Sequence, residues 1–123
     1  MRARLPMAWL LGVLILVPAI AVRAAEVVDF GLSTSGKRID ALVVETRGKA
    51  PPLVAIVGGL DGENASSARV REAVAAYEKS GAKAFRLIAV PVANPDGAAL
   101  AFPPTGVAYR ENAEANALWR YLG

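Results

Sequence analysis

At 123 residues, with 14 Lys plus Arg, 11 Asp plus Glu and neither His nor Cys, the chain holds one small domain at most. Without His or Cys it builds no disulfide frame, no thiol nucleophile, no Ser-His-Asp triad and no zinc site of the usual nitrogen and sulfur kind. Its chemistry is confined to carboxylate, amine, guanidinium, hydroxyl and amide.

The formal charge of +3 is concentrated at one end: Arg2, Arg4 and Arg23 lie in the first 24 residues, which hold no acidic residue. Removing those three from the 14 basic residues leaves as many as the 11 acidic ones, so the rest of the chain is neutral and a nucleic-acid partner is not expected. The segment reads as a signal peptide. A basic start at residues 1–4 precedes an uncharged apolar stretch at 5–22, which Pro18 interrupts shortly before Val22-Arg23-Ala24, with small side chains at the −3 and −1 positions. Cleavage is expected after Ala24, giving a periplasmic or secreted chain of residues 25–123 that meets a membrane only through its signal segment. The competing reading is an uncleaved anchor, because the apolar stretch reaches the lower limit of a bilayer span.

Residues 25–44 read as a β-hairpin. Val27, Val28 and Phe30 form one strand, Ser33-Thr34-Ser35-Gly36 the turn, and Ile39, Ala41 and Val43 alternate with Asp40, Leu42 and Val44 in the return strand. Arg47-Gly48-Lys49-Ala50-Pro51-Pro52 is a linker. Leu53-Val54-Ala55-Ile56-Val57 is a continuous apolar run ending at Gly58-Gly59, the pattern of a strand buried on both faces. Val70, Ala73, Val74 and Tyr77 then recur at helical spacing opposite Arg71, Glu72, Glu78 and Lys79, which predicts an amphipathic helix capped by Ser66 or Ser67 and stopped at Gly81. Residues 85–92 form another strand leading into the turn Asn94-Pro95-Asp96-Gly97. A last helix is expected over 112–122, anchored by Leu118, Trp119 and Tyr121.

Strand, helix and strand within about 40 residues make a right-handed βαβ unit with a parallel pair. The fold class is therefore α/β, a mixed sheet with an N-terminal hairpin on one edge and a parallel βαβ unit. A sheet that ends on a lone helix would ordinarily continue to another strand, so a truncated domain is expected.

Ligands of parallel sheets bind beyond the carboxyl ends of the strands, which singles out two loops, residues 58–64 and 94–97. The first fits neither G-x-G-x-x-G nor a P-loop, and it has no G-x-S-x-G or His to serve an esterase. As a metal loop it offers Asp61 and Glu63 as hard oxygen ligands, with Asn64 beside them. The plain alternative is that the glycines allow a tight strand exit and the polar residues sit at a helix N-terminus, where acids and amides are favoured. Residues 94–97 need be no more than a solvent turn, and Arg110 no more than a surface charge.

Three ordered segments add a resemblance. Phe30-Gly31-x-Ser33-x-x-Gly36-Lys37-x-Ile39, then Gly58-Gly59-x-Asp61-Gly62-x-Asn64, then Pro91-Val92-x-Asn94-Pro95-Asp96-Gly97 resemble the N-terminal half of the zinc-carboxypeptidase family of metallopeptidases, whose superfamily includes succinylglutamate desuccinylase and aspartoacylase-like amidohydrolases. The likeness covers most of residues 28–112. It implies zinc as cofactor, with Asp61 and Asn64 at the positions of the family's His and Glu ligands. It further implies Arg110 as the arginine that polarises the scissile carbonyl, and Asn94, Asp96 and Gly97 at the substrate side of the site. In such an enzyme zinc activates water, a Glu takes its proton and Arg stabilises the oxyanion.

The departures matter as much. Asp ligates zinc, but an Asn amide is a poor exchange for a carboxylate. Glu63 stands one residue early. Asn116 is a further ligand-like position without a secure alignment, and the third His ligand and general base belong to the family's second half. The signal segment and the resemblance together imply an exported protein built for metal-assisted hydrolysis of a peptide or amide bond, inactive or incomplete as these 123 residues stand. A peptide- or carboxylate-binding module using Arg110, and an unrelated nucleotide-binding α/β domain using residues 58–62, are the alternatives.

Overall fold

The computed structural model describes residues 23–81, 83–108 and 110–123, so the expected signal segment lies, up to Val22, outside the described residues. β1 (Glu26–Leu32) and β2 (Arg38–Val44) form the expected antiparallel hairpin, from Glu26 opposite Val43 to Leu32 opposite Arg38, with a bulge between Asp29 and Gly31. The turn closes through Ser33 N–H to the Lys37 carbonyl at 2.8 Å and Gly36 N–H to the Ser33 carbonyl at 2.9 Å. Alternation then sorts the side chains of β2. Ile39, Ala41 and Val43 enter one apolar cluster, and Leu42 and Val44 the other.

β3 (Leu53–Val57), α1 (Ala65–Lys79) and β4 (Arg86–Val90) make the βαβ unit, with β3 parallel to β4. β4 also pairs antiparallel with β2, which gives a mixed four-stranded sheet in the order β1-β2-β4-β3. α1 packs Val70 and Val74 on one face, against Val44, Leu87 and Ala89. α2 (Ala113–Leu122) packs Ala117 and Leu118 on the other, against Ile39, Ala41, Val43, Ile88 and Val90. Two stacked ring pairs close the ends of these layers, Tyr77 on Phe85 with centroids 4.5 Å apart and Phe30 on Tyr121 at 4.2 Å. Among the described residues, no helix is long and apolar enough to cross a membrane.

Four expectations need correction. β3 is not buried on both faces: it bonds to β4 alone and forms an edge of the sheet, leaving Leu53 58% and Val57 37% exposed. An apolar run reports what a strand could bury, whereas burial depends on what packs over each of its faces. The cap of α1 is Asn64 rather than Ser66 or Ser67, so the helix starts earlier, and it ends on a Ser80 cap before Gly81. Ala73 lies exposed, because the buried stripe of α1 is narrower than its sequence spacing allows. Trp119 does not anchor α2: the residue is 55% exposed while Leu118 takes the core position.

Val74 is 3% exposed and packed among side chains that offer a carboxylate no partner. Val74→Asp is expected to unfold the protein, since an unpaired buried charge costs several kcal/mol, on the order of the whole stability of so small a domain. The check is a urea titration by circular dichroism; an unchanged midpoint would reject this packing face.

Candidate functional site

The loops after β3 and β4 are fastened to each other. Gly58 N–H donates to the Val90 carbonyl at 2.8 Å, Ala93 N–H to the Gly58 carbonyl at 3.0 Å and Asn94 N–H to the Gly59 carbonyl at 2.9 Å. Gly59 has φ +61°, and a Cβ there would sit 2.8 Å from both Ser67 Oγ and Val92 Cα. No other residue fits that crossing. Asn94, fully buried, continues the seam: its Nδ2 donates to the Leu60 carbonyl at 2.8 Å and also to the Ala98 carbonyl. Its Oδ1 is buried with no hydrogen-bond partner among the described residues. Asn94-Pro95-Asp96-Gly97 is the expected turn, closed by Gly97 N–H to the Asn94 carbonyl at 3.0 Å.

Asp61 and Asn64 do come together. Asn64 Nδ2 donates to Asp61 Oδ1, and Asn64 Oδ1 accepts from Ser66 N–H at 2.8 Å and from Ser66 Oγ at 2.6 Å. The cap is reciprocal, with Asn64 N–H donating to Ser67 Oγ at 3.3 Å. Asn64 Oδ1 thereby satisfies one of the free N–H groups that begin α1, and Ser67 Oγ satisfies the N–H of the cap itself. Glu63 is turned to Arg71, in an exposed pair at 2.8 Å.

Zinc needs lone pairs converging on one point from three protein ligands. Here the Asn64 oxygen is engaged by the helix and its amide nitrogen by Asp61. Among the described residues, no three of His, Cys, Asp and Glu form a metal-holding group. The donors at this corner do not fit a zinc ion.

Arg110 is exposed, in a turn where its N–H donates to the Val107 carbonyl at 3.0 Å. Asn116 lies in α2 and spends its Nδ2 on the carbonyls of Asn112 and Glu111, at 3.1 and 3.2 Å. Asp96 faces the hairpin turn. It accepts from Ser35 Oγ, from Ser35 N–H at 2.8 Å, and pairs with Lys37 Nζ at 3.3 Å. The Ser35 hydroxyl, then the Ser35 N–H, outweigh the opposing effect of burial and, with Ser33 and Lys37, hold the carboxyl well below the usual carboxylate range.

Sequence reasoning missed a second carboxylate on the same turn. Glu114 is 3% exposed and accepts from Thr34 N–H at 3.0 Å and Thr34 Oγ1 at 3.3 Å. An acid in the first turn of a helix is ordinarily read as a response to the helix dipole, so nothing local distinguished it.

No protein-family model matches the sequence, and no curated protein does. Solved structures do match. A metallo-carboxypeptidase from Burkholderia cenocepacia aligns over 80% of this chain and 33% of its own, at 20% identity and a TM-score of 0.68. An aspartoacylase family protein from Mesorhizobium loti aligns over 80% of this chain and 36% of its own, at 21% identity and TM-score 0.56. Carboxypeptidase A from Helicoverpa armigera aligns over 60% and 20%, at 28% identity and TM-score 0.51.

Asp96 supplies a pH test. A carboxyl whose folded pKa is depressed contributes stability that is complete above its unfolded value, near 3.8, and is lost as pH falls toward the folded one. Asp96→Asn is expected to be less stable than the parent at pH 7, with the gap narrowing below about pH 4. Melting temperatures of both proteins across pH 2–7 check this; a gap independent of pH would remove the carboxylate from the account. The chain spans about a third of the length of the two bacterial structures above, and its small mixed α/β sheet shares the fold of that part of them.

Proposed function

We propose that this chain is an exported protein of the peptide- and amide-hydrolase fold whose metal corner serves as a helix cap, so that residues 25–123 engage a peptide or amide ligand without cleaving it. The observation that carries the reading is the use of Asn64. The residue at the second ligand position closes α1 with its oxygen and holds Asp61 with its nitrogen. A side chain committed in this way has no lone pair to offer a cation, and water activation by a zinc centre would need three such donors. Arg110, exposed after the loop that leads to α2, is the group proposed to meet a ligand carbonyl or carboxylate.

Export rests on the basic and apolar N-terminal segment and gains support at residue 25. The N–H of Ala25, which cleavage after Ala24 would convert to an α-amine, donates to Glu78 Oε1. A free amine there would make a charge-assisted bond to the same carboxylate, so cleavage at this point leaves β1 anchored.

Two measurements follow. Intact mass of the exported product is expected to correspond to a chain beginning at Ala25; a product retained in the membrane fraction and still beginning at Met1 would refute export. Zinc titration by calorimetry is expected to give no binding tighter than that of the Asp61→Ala variant, and no amino acid release from a blocked dipeptide above that control. Asn64→Ala, by contrast, is expected to lower stability by about 1 kcal/mol through loss of the cap. Zinc-dependent hydrolysis that Asp61→Ala abolishes would overturn the reading.

A further inference from the structure

We infer that Glu114 is a positioning residue: its buried carboxylate grips the hairpin turn and so sets Arg110 against the loop that follows β4. The inference rests on the reading of Arg110 as the group that meets a ligand carboxylate. What it adds is how that arginine is held.

Glu114 is buried, and among the described residues no Lys or Arg forms an ion pair with it. A buried charge without a counter-ion costs stability rather than adding it, so what it contributes is geometry. That geometry is specific. One carboxylate oxygen accepts from Thr34 N–H at 3.0 Å and the other from Thr34 Oγ1 at 3.3 Å, which fixes the plane of the group as well as its distance from the turn. The apolar contacts of α2 do less. A Cβ on Gly31 would come within 2.6 Å of Ala117 Cβ, and Tyr121 stacks on Phe30, but contacts of this kind are non-directional. The start of the helix has little other guide: Asn112 precedes it in the left-handed region, at φ +48° and ψ +44°, and its side chain makes no capping bond.

The segment carrying Arg110 moves with that first turn. Arg110 N–H and Glu111 N–H both donate to the Val107 carbonyl, at 3.0 and 2.9 Å, and Asn112 Nδ2 donates to the Thr105 carbonyl at 3.3 Å. Asn116 Nδ2 reaches back to the carbonyls of Glu111 and Asn112. Residues 105–116 are thus tied to one another, and among the described residues their hydrogen bonds to any residue before 105 are those of Glu114 with Thr34. Beside Thr34, Ser35 is held by Asp96 through its N–H at 2.8 Å and through its hydroxyl. A path of hydrogen bonds therefore runs from Asp96 through the hairpin turn to Glu114. It refers Arg110 to residues 94–97, at the carboxyl end of the parallel pair.

The test titrates the product of the full chain with N-benzoylglycylphenylalanine, a blocked dipeptide with a free carboxylate, by calorimetry. Arg110→Ala is expected to remove most of the affinity and Glu114→Ala to lower it about tenfold. Glu114→Gln, whose amide can accept from Thr34 N–H and donate to Thr34 Oγ1, is expected to stay within about threefold of the parent. Thr34→Val, on the exposed turn, removes one of the two bonds without touching the core. It is expected to cost about threefold, and nothing further when combined with Glu114→Ala. Val70→Ala, in the cluster beneath α1, is expected to lower the urea midpoint and leave the affinity unchanged, which separates position from stability. Hydrogen exchange over residues 105–116 is expected to quicken in Glu114→Ala and to return to the parent rate in Glu114→Gln. Equal loss of affinity in Val70→Ala, additive losses in the double variant, or full affinity in Glu114→Ala where Arg110→Ala has lost it would each overturn the inference. If Glu114→Ala does not fold, unchanged affinity in Thr34→Val overturns it alone. A parent that does not bind the dipeptide, or an Arg110→Ala variant that binds as the parent does, would instead overturn the reading of Arg110 on which the inference rests.

Discussion

Everything at the carboxyl end of the parallel pair depends on how closely residues 58–59 pass residues 90–94. Three backbone hydrogen bonds of 2.8–3.0 Å tie the two segments, and Gly59 accepts the approach only because it lacks a Cβ and tolerates a positive φ. Gly58 is as tightly placed on the helix side, where an added Cβ would meet Ser66 O and Val70 Cγ2 at 2.9 Å. The seam therefore fixes the start of α1 as well as the path of the second loop. Ser66 Oγ adds to it by accepting from Gly59 N–H at 2.8 Å.

With the start of α1 fixed, the fate of Asn64 follows. A helix beginning there leaves N–H groups that need acceptors, and the nearest is the Asn64 side chain. Ligating a metal and capping a helix make opposite demands on one oxygen: the first turns it outward to a shared point, the second inward to the helix. Asn settles the matter in favour of the cap, because its amide nitrogen can then hold Asp61 without charge repulsion. Two neighbouring carboxylates at this corner would repel each other unless a cation lay between them.

The hairpin and the βαβ unit were legible because each follows from a single periodicity, two in residues 38–44 and 3.6 in residues 70–77. The failures share a cause, in that neighbours decide them. Whether residues 53–57 form a central or an edge strand depends on what lies beside them, which local pattern does not record. Among Asn64, Ser66 and Ser67 all three are competent caps, and the seam at Gly58 and Gly59 selects the first. The buried Glu114 was invisible because its partner, Thr34, lies 80 residues away.

The segment that gave the resemblance its specificity, residues 91–97, is occupied throughout with holding the fold. Asn94 carries the seam to Leu60, the Pro95 carbonyl accepts from Lys37 Nζ at 3.2 Å, Asp96 binds Ser35, and Gly97, at φ +69°, passes the Asp61 carbonyl closely enough that a Cβ would stand 3.4 Å from it. Asp96 and Glu114 together pin the hairpin turn, one to the loop after β4 and the other to α2, so the turn is held from both sides. Each of these contacts is made within the fold itself. A likeness in this segment therefore reports the shared fold, and the contacts of Asp61 and Asn64 at the start of α1 are a separate matter.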